Sequence, residues 1–234
     1  MGLYRDVINQ TRRPEGLIGK LMVNGMNSGH ARLADGGLAA LDGIVASAIV
    51  ELGCGGGRNA RELMVRYPKA TLSAVDYSDV SLEKTRKTNG KAIEDGRCQV
   101  AWGDVSSLPF DGEAFDLATA FETVYFWPGL ARCFAEVYRV LRPGGSFLIC
   151  NESDGTDEAT LKYAKIIDGM NHYTTGELAE ALVVVGLSVP VTRHHPDKPW
   201  IVCGPEVSRP MCVILFFPRS GTDGAGRLNG SEAE

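Results

Sequence analysis

The feature that most restricts the fold of this chain is a glycine-dense turn directly after a short apolar run. Residues 49–52 read Ile-Val-Glu-Leu, and residues 53–57 read Gly-Cys-Gly-Gly-Gly. Glycines let the backbone adopt positive φ and let a ligand approach without meeting a Cβ atom. A helix beginning at Arg58 would point its free N–H groups at the same place, which suits a carboxylate or a phosphate. The segment predicts a strand–turn–helix unit with a ligand site, although such turns also simply connect elements.

Short apolar runs alternate with amphipathic stretches from residue 45 to residue 152. This alternation is typical of βα units that build a mostly parallel sheet, so we expect an α/β fold. The predicted strands are Ala48–Leu52, Thr71–Asp76, Gln99–Trp102, Leu117–Phe121 and Ser146–Asn151. Apolar residues at helical spacing predict a further helix over residues 130–141, which Arg142-Pro143-Gly144-Gly145 ends.

The pattern changes after residue 152. A helix is predicted over Thr174–Val185, and two strands over Leu187–Arg193 and Trp200–Cys203. The turn at residues 196–199, Pro-Asp-Lys-Pro, joins these strands, so we expect an antiparallel C-terminal hairpin at one sheet edge.

Both ends of the chain differ from this core. In residues 1–40, apolar residues interleave with glycines and polar residues, which predicts one or two short helices over the domain. Residues 206–234 are rich in Gly, Ser and Glu, and we expect this tail to be partly disordered. Its apolar run Met211–Phe217 favours either an edge strand or a subunit contact. The expected catalytic domain is therefore residues 41–205.

Composition limits the classes of function. At 234 residues with 44% hydrophobic content, the chain can bury one sizeable core. A net charge of −5 without a Lys/Arg-rich stretch argues against a nucleic-acid partner. No signal peptide and no apolar run of about 20 residues are visible, so no membrane partner is expected. Six scattered cysteines without a CxxC pair predict reduced thiols and a cytoplasmic protein, either monomer or homodimer.

The details of the glycine turn narrow the ligand. A dinucleotide fingerprint needs a third glycine where this chain has Arg58, which argues against NAD. Glu51 at the strand tip can attract a ligand ammonium group. Asp76 ends the next strand and can accept hydrogen bonds from a ribose diol, or it can cap the following helix. Asp104 follows the third strand and can accept a hydrogen bond from an adenine amine, or hold a turn.

These residues resemble the class I S-adenosylmethionine-dependent methyltransferases, especially the group that includes the ubiquinone-biosynthesis C-methyltransferases. The resemblance covers about residues 45–152. It rests on the segments 51–57 (Glu-Leu-Gly-Cys-Gly-Gly-Gly), 75–78 (Val-Asp-Tyr-Ser), 103–110 (Gly-Asp-Val-Ser-Ser-Leu-Pro-Phe), 115–117 (Phe-Asp-Leu) and 140–145 (Val-Leu-Arg-Pro-Gly-Gly). It implies a Rossmann-like, seven-stranded, mostly parallel sheet whose last strand is antiparallel. It also implies S-adenosyl-L-methionine as cofactor, at Glu51, Gly53, Cys54, Gly55, Gly57, Asp76, Tyr77, Asp104, Val105 and Phe121.

Candidate acceptor residues follow the fourth strand and lie near the N-terminus. Glu122 and Tyr125, together with Trp127, line an acceptor pocket or close the core, and Asn151 and Glu152 share this ambiguity. The segment 121–128 differs from the Asn/Asp-Pro-Pro-Tyr segment of nucleic-acid amino-methyltransferases, which argues against an adenine or cytosine acceptor.

His30 follows a segment, 26–29, that resembles cofactor-covering segments of related enzymes. It is the best placed of the four histidines to act as a base, or it is a structural histidine. His194 and His195 are adjacent on a predicted strand and make a poor metal pair, so no metal is expected.

The sequence thus predicts an enzyme that transfers the methyl group of S-adenosylmethionine to a small molecule, with residues 1–40 as a helical lid. His30, Glu122 and Tyr125 are the candidate catalytic residues. Two alternatives remain: an NAD(P)-dependent oxidoreductase on a similar sheet, and a non-catalytic module that binds S-adenosylmethionine.

Overall fold

The computed structural model describes residues 2–153, 155, 158–188 and 211–216, which form an α/β fold around a parallel sheet. The described strands are β1 Ala48–Leu52, β2 Thr71–Asp76, β3 Cys98–Trp102, β4 Phe115–Phe121, β5 Leu141–Asn151 and β6 Met211–Phe216. Their order across the sheet is β3-β2-β1-β4-β5-β6, and every pairing is parallel. The predicted α/β fold with a parallel sheet is confirmed.

β1 and β2 have the predicted bounds, but β5 begins earlier than the predicted Ser146. Leu141 pairs with Phe115 and Ser146 with Leu117, so β5 places more residues than β4 in the same stretch. Gly144 has φ +77, a backbone conformation that suits glycine at a β-bulge. The Pro-Gly-Gly segment is therefore an irregularity within β5, and the strand begins before it at Leu141.

The C-terminal edge differs from the expected one. Of the two hairpin strands, Leu187–Arg193 and Trp200–Cys203, only Leu187 and Ser188 fall within the described residues. β6 pairs in parallel with β5, from Ser146 and Met211 onward, whereas the resemblance implied an antiparallel last strand. A parallel neighbour needs a crossover connection of at least about a dozen residues, and residues 152–210 separate β5 from β6. The apolar run Met211–Phe217 is therefore an edge strand up to Phe216, and a seventh strand stays a prediction.

Helices flank the sheet. Their bounds are α1 Gly2–Asn9, α2 Gly16–Gly29, α3 Ala31–Ala39, α4 Arg58–Arg66, α5 Asp79–Thr88, α6 Gly90–Glu94, α7 Leu130–Val140, α8 Glu158–Ala164 and α9 Thr175–Val184, with a 3-10 turn at Val124–Phe126. The N-terminal segment thus holds three helices where one or two were predicted. α9 begins with a capping box between Thr174 and Glu177, which fixes the start that the sequence indicated. None of the described helices is long and apolar enough to cross a membrane.

The core has two halves, one on each face of the sheet. Ile49 on β1 packs with α3 and α4, while its neighbour Val50 packs with α7 and α9. Strands buried on both faces are apolar along their length, as in other parallel sheets. Polar side chains therefore collect where the strands end, and in open parallel sheets ligands bind at the carboxyl ends of the strands.

Candidate functional site

A cavity of about 360 Å³ lies at the carboxyl ends of β1, β2 and β4. Its wall comes from the glycine turn, from residues after the strands, and from the N-terminal helices. Of the predicted site residues, the wall includes Gly53, Cys54, Gly55, Asp76, Tyr77, Asp104, Val105, Phe121, Glu122 and His30. Three predicted residues, Glu51, Gly57 and Tyr125, lie outside the described wall. The fold thus brings most of the sequence-predicted residues to one place.

The glycines of the turn serve two purposes. Gly53, Gly55 and Gly57 all have positive φ, which disfavours any other residue. A Cβ on Gly53 would lie 2.7 Å from the side chain of Thr123, and one on Gly57 would lie 2.8 Å from the backbone of Thr85. A Cβ on Gly55 would meet no atom within 4 Å. Packing therefore requires Gly53 and Gly57, whereas Gly55 leaves open space.

Glu51 lies behind the turn. Its side chain is buried, and the backbone N–H of Ala60 in the first turn of α4 donates a hydrogen bond to it. Burial and the nearby charge of Asp76 raise the pKa of Glu51 well above its usual range. Direct contact between Glu51 and a ligand ammonium group therefore stays a prediction, while the structure assigns the carboxyl group to the start of α4.

Asp76 joins the glycine turn to the cavity. Its Oδ2 accepts a hydrogen bond from the N–H of Gly55 at 3.0 Å, and its Oδ1 accepts one from the N–H of Ser78 at 2.9 Å. Burial raises the pKa of Asp76, and these hydrogen bonds oppose that rise. The side chain of Ser78 accepts a bond from the N–H of Ser81 and caps α5. Asp76 is therefore not the helix cap, and its carboxylate can accept hydrogen bonds from a ligand besides those from the backbone.

Tyr77 and Asp104 both line the cavity and also form hydrogen bonds that stabilise the fold. The hydroxyl of Tyr77 donates to the carbonyl oxygen of Arg12 at 2.6 Å, which ties the segment before α2 to the end of β2. Oδ1 of Asp104 accepts from the N–H of Ser106 at 2.8 Å. Asp104 thus holds the turn after β3, one of its two predicted roles, and also lines the cavity.

Glu122 is the central acidic residue of the opposite wall. Its φ of +57 places it in the left-handed region, which is unusual for a residue other than glycine. The hydroxyl of Tyr125 donates to its Oε2, and the N–H of Glu152 donates to its Oε1. Burial and the charge of Glu122 raise the pKa of Tyr125 well above its usual range. Tyr125 therefore stays protonated and acts as a donor that orients Glu122.

His30 and Glu152 complete a cluster with Glu122. One ligand atom of each side chain lies within 4.8 Å of the other two. Trp127 also borders the cavity, and its Nε1 donates to Oγ1 of Thr123 at 2.7 Å while its ring packs in the core. Trp127 therefore borders the cavity and also packs in the core, and its role in an acceptor pocket stays a prediction.

Sequence reasoning missed Arg58 as a site residue. It interpreted Arg58 only as the absence of a third glycine, whereas the side chain lines the cavity beside the glycine turn. Its Nη2 donates to Oδ1 of Asp35 on α3 at 2.5 Å, and its Nη1 donates to Oδ1 of Asn59 at 3.1 Å. The position directly after the glycine turn was the available signal, because a cation there complements an anion at the same N-terminus.

The N-terminal helices form one wall of the cavity. Side chains on this wall are Thr11, Arg12, Pro14, Val23, Met26, His30, Leu33 and Ala34. Besides the bond from Tyr77, the hydroxyl of Ser78 donates to the carbonyl oxygen of Pro14 at 2.7 Å. The segment before α2 is thus fastened at the end of β2, next to Asp76.

Comparison with known proteins gives a family match for part of the chain and a shared fold. Residues 50–149 match the family described as a methyltransferase domain. The structure also aligns, at 21% identity and a TM-score of 0.61, with the chain of a putative methyltransferase of Haloferax volcanii solved with its Trm112 activator, covering 77% of this chain and 84% of that one. The family match covers the region in which the motifs of this chain resemble methyltransferases, and the structural alignment shows a shared fold.

Two curated relatives act on different acceptors. The chain is 28% identical over 165 residues to a sterol 24-C-methyltransferase of Debaryomyces hansenii, covering 65% of this chain and 44% of the relative. It is 30% identical over 174 residues to a malonyl-[acyl-carrier protein] O-methyltransferase of Geobacter sulfurreducens, covering 68% and 64%. The chain thus spans less than half the length of that sterol methyltransferase.

Proposed function

We propose that this chain binds S-adenosylmethionine and transfers its methyl group to a small molecule. The observation that carries the proposal is one cavity that joins the glycine turn and Asp76 to Glu122 and His30. The strand order supports one orientation of the bound cofactor across the sheet, because β2 and β3 lie on one side of β1 and β4 lies on the other. An adenosyl group at Asp76 and Asp104 leaves the methyl group near the end of β4.

The residues around the turn fit the cofactor. Asp76 is a buried carboxylate that accepts hydrogen bonds from backbone N–H groups, and a ribose diol supplies further donors. The N-terminus of α4 and the guanidinium of Arg58 both favour the carboxylate of the methionine part. In this proposal Asp35 positions Arg58, and Tyr77 and Val105 lie at the adenosyl side. Glu51 fixes the start of α4, and its buried Oε2, which has no hydrogen-bond partner among the described residues, is proposed to attract the ammonium group of the methionine part.

The residues beside the methyl acceptor are proposed to remove a proton from it. S-adenosylmethionine supplies an electrophilic methyl group on a sulfonium, so the protein must align the acceptor, exclude water and, where needed, remove one proton. Glu122 is the proposed base, because it borders the cavity and Tyr125 orients it. Its left-handed backbone costs about 1–3 kcal/mol, a kind of strain that clusters at functional sites. His30, in the same cluster, is the proposed relay of the proton.

The two alternatives are less well supported. Arg58 occupies the position of the third glycine in a dinucleotide fingerprint, and the matched family is a methyltransferase domain rather than an oxidoreductase. A non-catalytic module does not need an acidic group held in strained geometry beside the cofactor cavity. The proposed acceptor is small, since a cavity of about 360 Å³ shared with the cofactor leaves little room.

Residues 1–40 are proposed to act as the lid of a catalytic domain 41–205. The proposed location is cytoplasmic, because all four cysteines with described side chains, Cys54, Cys98, Cys133 and Cys150, are buried free thiols. Whether the protein is a monomer or a homodimer can be measured by light scattering.

The proposal is tested by incubating the protein with methyl-labelled S-adenosylmethionine and a panel of acceptors. The panel should contain sterols, isoprenoids, acyl thioesters and amines. We expect labelled product with at least one acceptor, and S-adenosylhomocysteine in equal amount. Glu122→Gln should lower turnover by about 10²–10⁴-fold, the range of acid–base catalysis, without weakening cofactor binding. Tight cofactor binding with no transfer to any acceptor class would favour the non-catalytic module.

A further inference from the structure

Helix α2 presents two apolar faces. Val23 and Met26 on its inner face line the cavity. Leu17, Ile18 and Leu21 are 81%, 48% and 73% exposed. Residues three and four positions apart share a face of a helix, so Leu21 lies beside both Leu17 and Ile18, and we call these three side chains the α2 ridge. A helix of this kind separates the cavity from whatever the ridge contacts.

The segments next to the α2 ridge carry more basic than acidic residues, although the whole chain has a net charge of −5. Helix α2 packs beside α5, where Lys20 and Lys87 both pair with Glu83, and Arg13 pairs with Glu15. Residues 13–20 and α5 together contain five Lys and Arg residues against three acidic residues. These two segments therefore have a local excess of positive charge.

We propose that the α2 ridge docks on the surface of an anionic lipid bilayer. An interfacial helix inserts its apolar face at the boundary between head groups and acyl chains, while nearby Lys and Arg residues attract anionic lipids. The sequence-based expectation of no membrane partner rested on the lack of a spanning segment, and surface docking requires none. Docking follows from α2 and α5 alone and does not depend on methyl transfer.

A second copy of the chain fits the ridge less well. A stable dimer buries about 800 Å² per partner, whereas the ridge consists of three side chains. A two-fold dimer would also bring the two basic surroundings together, and like charges repel. A negatively charged bilayer has the complementary charge, and it accepts a small apolar ridge by insertion. The inner wall of α2 would then lie between the bilayer and the cavity, on the path of an apolar acceptor.

The test is co-sedimentation of the full chain with vesicles of phosphatidylcholine, with and without phosphatidylserine. We expect binding to the vesicles that contain phosphatidylserine, and weaker binding at high salt. The double variant Leu17→Ser/Leu21→Ser should bind at least about tenfold more weakly. The matched control is Val183→Ser/Val184→Ser on α9, whose valines are 50% and 78% exposed, and it should bind like the wild type. Circular dichroism checks that both variants are folded.

Several results would overturn the proposal. These are no binding of the wild-type protein, equal binding of the ridge variant, and equal binding to vesicles without phosphatidylserine. A wild-type dimer that Leu17→Ser/Leu21→Ser converts to a monomer would assign the ridge to a second copy instead. Because vesicle binding involves no methyl transfer, none of these outcomes bears on the proposed function.

Discussion

Replacement of Asp76 by alanine removes the carboxylate that the proposed cofactor site needs most. The side chain is 8% exposed, and its two oxygens hold the N–H groups of Gly55 and Ser78. In Asp76→Ala a bound ribose loses two acceptors, and the glycine turn loses its link to β2. We expect weaker binding of S-adenosylhomocysteine for both reasons.

The size of the effect follows from the hydrogen bonds. A bond to a charged group contributes about 1.5–3 kcal/mol, and the diol makes two of them in this proposal. Because water replaces part of the loss in the variant, we take about 2–3 kcal/mol in total, at or just below the smallest sum of two such bonds. This corresponds to a dissociation constant raised by about 30- to 150-fold. Isothermal titration calorimetry measures it directly.

Asp79→Ala is the matched control. It removes the same charge three residues further on, at an exposed position in the first turn of α5. We expect a small loss of helix stability, below about 1 kcal/mol, and unchanged affinity. An Asp76→Ala protein that is folded and binds S-adenosylhomocysteine as tightly as the wild type would refute the assignment of Asp76 to the ribose.

Three further predictions follow. Although burial raises it, hydrogen bonds from Ser47 and Arg142 lower the pKa of Asp116 to about 2, below its unfolded value of about 3.9. The stability from Asp116 is therefore present above about pH 4 and lost as the pH falls toward 2, so denaturation of Asp116→Asn should be less acid-sensitive in that window than denaturation of the wild type. In calorimetry, Arg58→Met should weaken binding of S-adenosylhomocysteine about tenfold. Binding of methylthioadenosine, which lacks the carboxylate, should be unchanged. Equal losses of affinity for both ligands would show that Arg58 does not bind the carboxylate. If residues 1–40 are a lid, S-adenosylhomocysteine should slow tryptic cleavage after the exposed Arg12, between α1 and α2, and an unchanged cleavage rate would argue against the lid.

Much of the sheet could be predicted because its strands are buried on both faces. Such strands appear in the sequence as continuous apolar runs, and β1 and β2 match the predicted bounds. The start of β5 was missed, because Arg142-Pro143-Gly144-Gly145 ends a helix in the same way whether a loop or a bulged strand follows. The parallel pairing of β6 was missed because sequence spacing does not reveal which strand becomes the neighbour.

The site was predictable where backbone geometry dictates residue type. Positive φ requires the glycines at 53, 55 and 57, and a strand end beside them locates Asp76. The contact between Glu122 and Glu152 joins residues 30 positions apart, and the contact between Arg58 and Asp35 joins helices that no motif links. Pairings of this kind depend on how elements pack, so they are seen only in the folded chain.

The most direct test of the central claim is a comparison of two ligands by calorimetry on the unmodified protein. The proposed site predicts saturable binding of S-adenosylhomocysteine and no detectable heat of binding with NAD under the same conditions. Saturable binding of NAD without binding of S-adenosylhomocysteine would contradict the account, because Asp76, Arg58 and the glycine turn would then serve a dinucleotide.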